Sequence, residues 1–411
     1  MKTITLLSAL IFVANCSLSQ SFIEICPSTN TTGTIVNYEV FNGEIYATGF
    51  FDQICNTSTD YLAKWNGTGW DATAVSLPNE GHAISAIGSS MYISCYVNSV
   101  DSNWVYQSDG TTISPFGNGF YLTTATSFSN LPTLYDVVEY NGDLIVCGEF
   151  DRSGTDTVTG IARWNGTKWE SLGGGLSGNI VGGPPIMYPH QMMVHNNELY
   201  IVGNFRYAGG VEVNGAAKWD GTSWSALGNG FNSTVYGIGM YNNEIWAGGD
   251  FTMAGTESVN CVAKWNGTNW ENPGFGFINQ TANDYIFVHT FFEDDGGLYM
   301  AGGLKKILMD IGTEIDCGGI IHYSPSGINT FNGGISGNDV EAIEKTSTNQ
   351  LIIGGGVFGS GKSWLLDNIS GENELTTESA ISIAPNPATD VIEIQTDLEI
   401  LEVKVLGING S

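Results

Sequence analysis

One eight-residue string, Ala-Lys-Trp-Asn-Gly-Thr-x-Trp, occurs four times, and a chain that repeats a hairpin is constrained to fold as an array. The copies stand at residues 63–70, 162–169, 217–224 and 263–270, with Arg163 replacing the lysine and Asp220 the asparagine. Each sets two tryptophans five apart around Asn-Gly or Asp-Gly. That dipeptide between β-formers is the strongest short hairpin signal, and it predicts two antiparallel strands joined by a turn whose central residues both take positive φ. A lone hairpin cannot bury its faces, whereas stacked copies can.

Weaker copies follow in the same register. Ser108-Asp109-Gly110-Thr111-Thr112-Ile113 keeps the turn without the tryptophans, and Tyr323 to Ile328 keeps the spacing. A second hairpin precedes each copy, with turns at Asn42-Gly43, Gly88-Ser89, Asn141-Gly142, Asn196-Asn197, Asn242-Asn243, Asp295-Gly296 and Thr348-Asn349. Most of these lead into an apolar strand ending in glycine, as at Gly49, Gly148, Gly203, Gly249, Gly302 and Gly355. Seven such units of roughly 50 residues match the spacing of kelch-type repeats. The reading is an all-β chain: a seven-bladed β-propeller of four-stranded antiparallel blades over residues 20–370, with repeats near 33–78, 80–120, 133–176, 188–231, 234–277, 284–335 and 338–376.

The N-terminus reads as a secretory signal over residues 1–19: Lys2, an apolar run from Ile4 to Ala14, then small residues at Ser17 and Ser19. No other segment reaches the ~18 apolar residues of a membrane span. Six cysteines remain beyond the signal, an even number that permits three disulfides, although some suit burial as small apolar groups. A net charge of −29 repels phosphate backbones and anionic lipid, which argues against nucleic-acid and membrane-surface roles. The short run Phe22 to Cys26 is expected to close the ring by pairing near Trp364 to Asn368, removing two sheet edges.

Residues 371–380 read as a linker. Beyond them Pro385-Asn386-Pro387, the alternating Val391-Ile392-Glu393-Ile394, and Val403-Lys404-Val405 through to Gly410 resemble the C-terminal sorting domain of the type IX secretion system of Bacteroidetes. The resemblance covers residues 381–411 and departs from the family in missing its final Gly-x-Tyr strand. It implies a partial small β-sandwich, export to the cell surface or medium, and the type IX machinery as a partner. The repeats, with Gly248-Gly249-Asp250-Phe251, Ala263-Lys264-Trp265-Asn266-Gly267 and Leu227-Gly228-Asn229-Gly230, also resemble the ectodomain of a fungal cortical polarity marker. That likeness implies a fold and not a reaction.

Tight turns fall on one face of such a ring, and the longer connections fall on the other, where binding belongs. The paired tryptophans recur in equivalent places, as packing residues do. Nonrepeating residues on the loop face are better contacts: Arg206 with Tyr207, Asp151 with Arg152, and Tyr188. Arg206 stands out as one of three arginines, beside an aromatic ring. Gly356 to Ser363 fits the phosphate-loop pattern, but no helical period follows it. His190 and His195 form only a loose pair for a metal, and Asp151 with Asp156 lack a full calcium-loop pattern. No cofactor and no catalytic residue is assigned. The function expected is a non-catalytic binding or adhesion module for a glycan or a protein. The alternative is a carbohydrate-active hydrolase or lyase using loop-face acids.

Overall fold

The computed structural model describes residues 22–25, 33–97, 102–123, 131–180, 187–278, 285–294, 296–310, 312–331, 334–335, 339–356, 362–366, 382–385 and 392–395. Its compact units are residues 1–367 and 368–411. In the first unit the described residues form antiparallel meanders without an α-helix. The first meander runs Ile35–Phe41, Glu44–Gly49, Leu62–Trp65 and Trp70–Ala72, bonded in chain order. Equivalent four-stranded sheets begin at Thr133–Tyr140, Tyr188–His195, Val235–Tyr241 and Val288–Asp294. Gly81–Ile87 begins a meander that a short hairpin extends to six strands, and Val340–Lys345 begins another. The first strands touch one another in sequence, and Val340–Lys345 returns to touch Ile35–Phe41. Meanders arranged with their first strands in a cycle make a β-propeller.

The last meander takes its outer strand from the chain's beginning. Phe22 pairs with Leu366 and Glu24 with Trp364, as the apolar run suggested. Lys362 is therefore a strand residue facing Glu24 at 3.2 Å, and the phosphate-loop likeness has no helix behind it. Ser363 Oγ is buried against the Tyr38 hydroxyl and Trp70 Nε1.

The recurrent tryptophans hold neighbouring sheets together. Within each pair the rings meet at 5.2 to 5.4 Å. The second ring is buried: Trp70, Trp169, Trp224 and Trp270. Trp270 Nε1 donates to Leu227 O of the preceding sheet at 2.9 Å, and Trp224 Nε1 to Leu172 O at 3.4 Å. Gly173 follows Leu172 with φ of +57°, and a Cβ there would stand 2.4 Å from the Trp219 ring. The Leu-Gly of one repeat is thus the seat for the Trp pair of the next.

The turn chemistry differs from expectation in one respect. In four of the first hairpins both residues have positive φ, as at Asn42 (53°) with Gly43 (78°) and Asn196 (50°) with Asn197 (61°), whereas only Gly88 and Asn349 do in theirs. In the Trp hairpin only the glycine does, because Trp65 pairs with Trp70 and four residues span the gap. Asn66 instead uses its side chain: Oδ1 accepts from the Thr68 and Gly69 N–H groups. Asp220 performs the same task, and bonds from the Thr222 hydroxyl and the Ser223 and Thr222 N–H groups hold its carboxyl well below the usual range.

The long connections after the second strands are not open loops. They fold into small hairpins, Arg152–Ser153 with Asp156–Thr157 and Tyr207–Ala208 with Val211–Glu212 among them. These pair with residues of the preceding repeat, Tyr121 to Arg152 and Ser177 to Tyr207. Of the cysteines, Cys95, Cys147, Cys261 and Cys317 are free and buried, so three disulfides do not form, and Cys55 is disulfide-bonded. Burial pushes the Cys95, Cys261 and Cys317 thiols up to about 12, which leaves them without thiolate character.

In the second unit Ser382–Pro385 pairs antiparallel with Ile392–Gln395. The Pro-Asn-Pro turn beyond Pro385, the expected third strand and residues 1–19 lie outside the described residues.

Candidate functional site

Every first strand breaks register with its neighbour near its beginning, between Ile35/Asn37, Gly81/Ile84, Leu134/Asp136, Pro189/Gln191, Val235/Gly237, Val288/Thr290 and Val340/Ala342. Such a bulge leaves a residue unpaired and re-aims its side chain. The residues released are Val36, His82, Tyr135, His190, Tyr236, His289 and Glu341. A glycine opposite the bulge makes it possible: a Cβ at Gly148 would lie 2.1 Å from Thr133 O, and one at Gly203 2.3 Å from Tyr188 O.

From His82 to Glu341 these side chains meet from sheet to sheet and form a collar at the loop-face end of the first strands. Ring centroids lie 5.6 Å apart for His82 and Tyr135, 5.1 Å for Tyr135 and His190, and 4.8 Å for His190 and Tyr236. Tyr236 continues to Phe287 at 5.5 Å, and Phe50 caps His82 at 4.6 Å. His289 Nε2 lies 3.1 Å from Glu341 Oε2. The next residue in the bulge often binds the neighbouring strand: Asp136 accepts from Met192 N–H, and Gln191 from Ile238 N–H.

Immediately above the collar, one residue past the glycine, stand Phe50, Glu149, Asn204 and Asp250. Glu149 is 3% exposed and its Oε1 has no partner. Burial pushes its carboxyl up to about 7. Asp250 Oδ2 accepts from the Tyr285 hydroxyl at 2.7 Å, the Tyr285 and Tyr236 oxygens are 2.6 Å apart, and Asp250 Oδ1 is buried without a partner. Deeper in the first strands, burial pushes Asp136 and Glu39 up to about 7, and Glu344 is raised too. Among the described residues no group of three or more His, Cys, Asp or Glu is arranged to hold a metal ion.

Burial also pushes His82 down to about 4 and His190 down to about 3, and the charges of the other collar histidines add to the effect. An imidazole whose pKa falls on folding stabilises the fold above its ordinary value of 6.5. That stability is lost as pH falls toward 3, because the unfolded chain alone takes up the proton, at most ~1.4 kcal/mol per pH unit. His190→Gln removes this dependence. Its melting temperature is therefore expected to improve relative to the wild type between pH 7 and pH 4; a constant difference would mean that His190 titrates as in water.

Of the residues singled out in the sequence, Tyr188 begins a first strand beside Glu149, and burial, with the charge of Glu149 adding to it, raises the phenol's pKa. Arg206 lies on an outer hairpin: Nε and Nη2 donate to Glu212 Oε1 at 2.9 and 2.8 Å, and its guanidinium sits 5.5 Å from the Tyr207 ring centre. Asp151 accepts from the Thr123 N–H and hydroxyl, and Arg152 pairs in register with Tyr121 and Thr157. Sequence reasoning missed the collar itself; its signal was the glycine near the end of six of the second strands, Ser90–Val97 being the exception. A separate surface cleft of about 320 Å³ beside Gly255, Asn266 and Asn269 offers no stacking face, because Trp270 is 2% exposed.

No family model matches this sequence, and no curated protein matches it. Among solved structures it is similar to the WD40 β-propeller domain of Doa1, at 9% identity with a TM-score of 0.44, covering 85% of this chain and 97% of that one. RRP9 WD40 repeats give 10% and 0.48 over 84% and 97%. YCF48 from Cyanidioschyzon merolae gives 10% and 0.43 over 83% and 98%. No helix among the described residues is long and apolar enough to cross a membrane.

Proposed function

We propose that this chain is a seven-bladed β-propeller exported to the cell surface or the medium, where it acts as a non-catalytic binding and adhesion module for a glycan or a protein. The collar supports this reading: seven bulged strands present aromatic, imidazole and carboxyl groups together at one mouth of a rigid scaffold. Residues 1–19 serve as the signal peptide and residues 381–411 as a type IX sorting signal, with that machinery as the export partner. Tyr188 belongs to the rim of the site. Arg206, Tyr207, Asp151 and Arg152 lie on outer hairpins that a large ligand reaches. A carbohydrate-active enzyme is the second reading, favoured by the Glu149 carboxyl held near 7, where a general acid works.

A glycan, polysaccharide and protein array, probed with the purified chain, tests both readings. Retained binding that falls roughly tenfold in Tyr135→Ala and Tyr236→Ala supports the collar. Loss in Arg206→Ala alone moves the site to the outer hairpins. Released reducing sugar establishes the enzyme instead.

A further inference from the structure

We propose that the collar, read as above as the binding site, recognises an organic ammonium group, with Tyr236, Tyr285 and Phe287 supplying ring faces and Asp250 the countercharge. Tyr285 is 58% exposed, so this arc of the mouth opens to solvent. Its ring lies 5.4 Å from Phe287, which in turn lies 5.5 Å from Tyr236. Rings gathered at such distances offer their negative faces to a cation, and the attraction strengthens where water is excluded.

The polar groups point the same way. Tyr285 donates to Asp250 Oδ2, so the 2.6 Å contact to Tyr236 uses the Tyr236 proton, and both hydroxyl protons are committed inward. What remains without a hydrogen-bond partner beside these hydroxyls is an acceptor, the buried Asp250 Oδ1. Among the cationic side chains, Lys305 interacts with Asp339 and Arg206 is paired with Glu212. An anion would meet this oxygen and a molecule of net charge −29. A neutral sugar would find few donors. A metal ion lacks a ligand set among the described residues. An ammonium carrying methyl or methylene groups satisfies both the rings and the oxygen.

Calorimetry with the full chain decides the matter, using choline, its neutral isostere 3,3-dimethylbutan-1-ol, and sodium chloride at matched ionic strength. Choline is expected to bind saturably and roughly tenfold more tightly than the alcohol. Tyr285→Ala, an exposed position whose loss leaves the core intact, and Asp250→Asn are each expected to weaken choline about fivefold or more. Equal binding of the two isosteres, choline binding unchanged in both variants, or no saturable binding overturns the inference. If choline fails while an array ligand still depends on Tyr135 and Tyr236, the collar stands as the site and only its charge preference falls. If both experiments fail, the site reading falls with it.

Discussion

Trp270→Ala is expected to cost the propeller about 4 kcal/mol, the range for truncating a large buried aromatic. The ring is 2% exposed and packs on Phe231 at 4.8 Å and on Trp265 at 5.2 Å. Its removal leaves a cavity between two sheets and strands Leu227 O, the acceptor of the indole N–H. The hydrogen bond can be separated from the packing. Trp169 is equally buried, yet its Nε1 has no partner. Trp→Phe should therefore cost more at 270 than at 169, by about 1 kcal/mol, the net worth of a buried hydrogen bond. Chemical denaturation of the three variants measures this. A loss below about 1 kcal/mol for Trp270→Ala would show that the sheets are not held by these rings.

The same residues show why so much of the fold was legible. A tryptophan pair five apart, a Leu-Gly before it and an Asn-Gly within it are local signals, and each acts locally or on the adjacent repeat. The ring closure was readable because Phe22 to Glu24 is a short apolar run with no other strand to join. The turn type was misread at Asn66, since a side-chain acceptor and a left-handed backbone favour the same residue. The site was the least legible part. His82, Tyr135, His190 and Tyr236 are as different as a binding site requires, so no repeated letter marks them. What repeats is the glycine across from six of the seven bulges, and its meaning depends on a backbone approach near 2 Å that no sequence pattern displays. Arg206 attracted notice by rarity, whereas its guanidinium is matched to Glu212 on the facing strand of its own hairpin.

Glu149→Gln is expected to stabilise the protein at pH 8 by about 3 kcal/mol, a gain of roughly 5 °C or more in melting temperature. Burial raises this carboxyl from 4.5 to about 7. Between those values the folded chain keeps a proton that the unfolded chain has released, so wild-type stability falls as pH rises from 4.5 to 7, and the full penalty persists above 7. The neutral amide escapes that penalty. Its advantage should shrink as pH is lowered to 5, because the wild-type carboxyl is then protonated when folded and only partly ionised when unfolded. Melting curves at pH 5 and pH 8 decide: a difference independent of pH would place Glu149 in water.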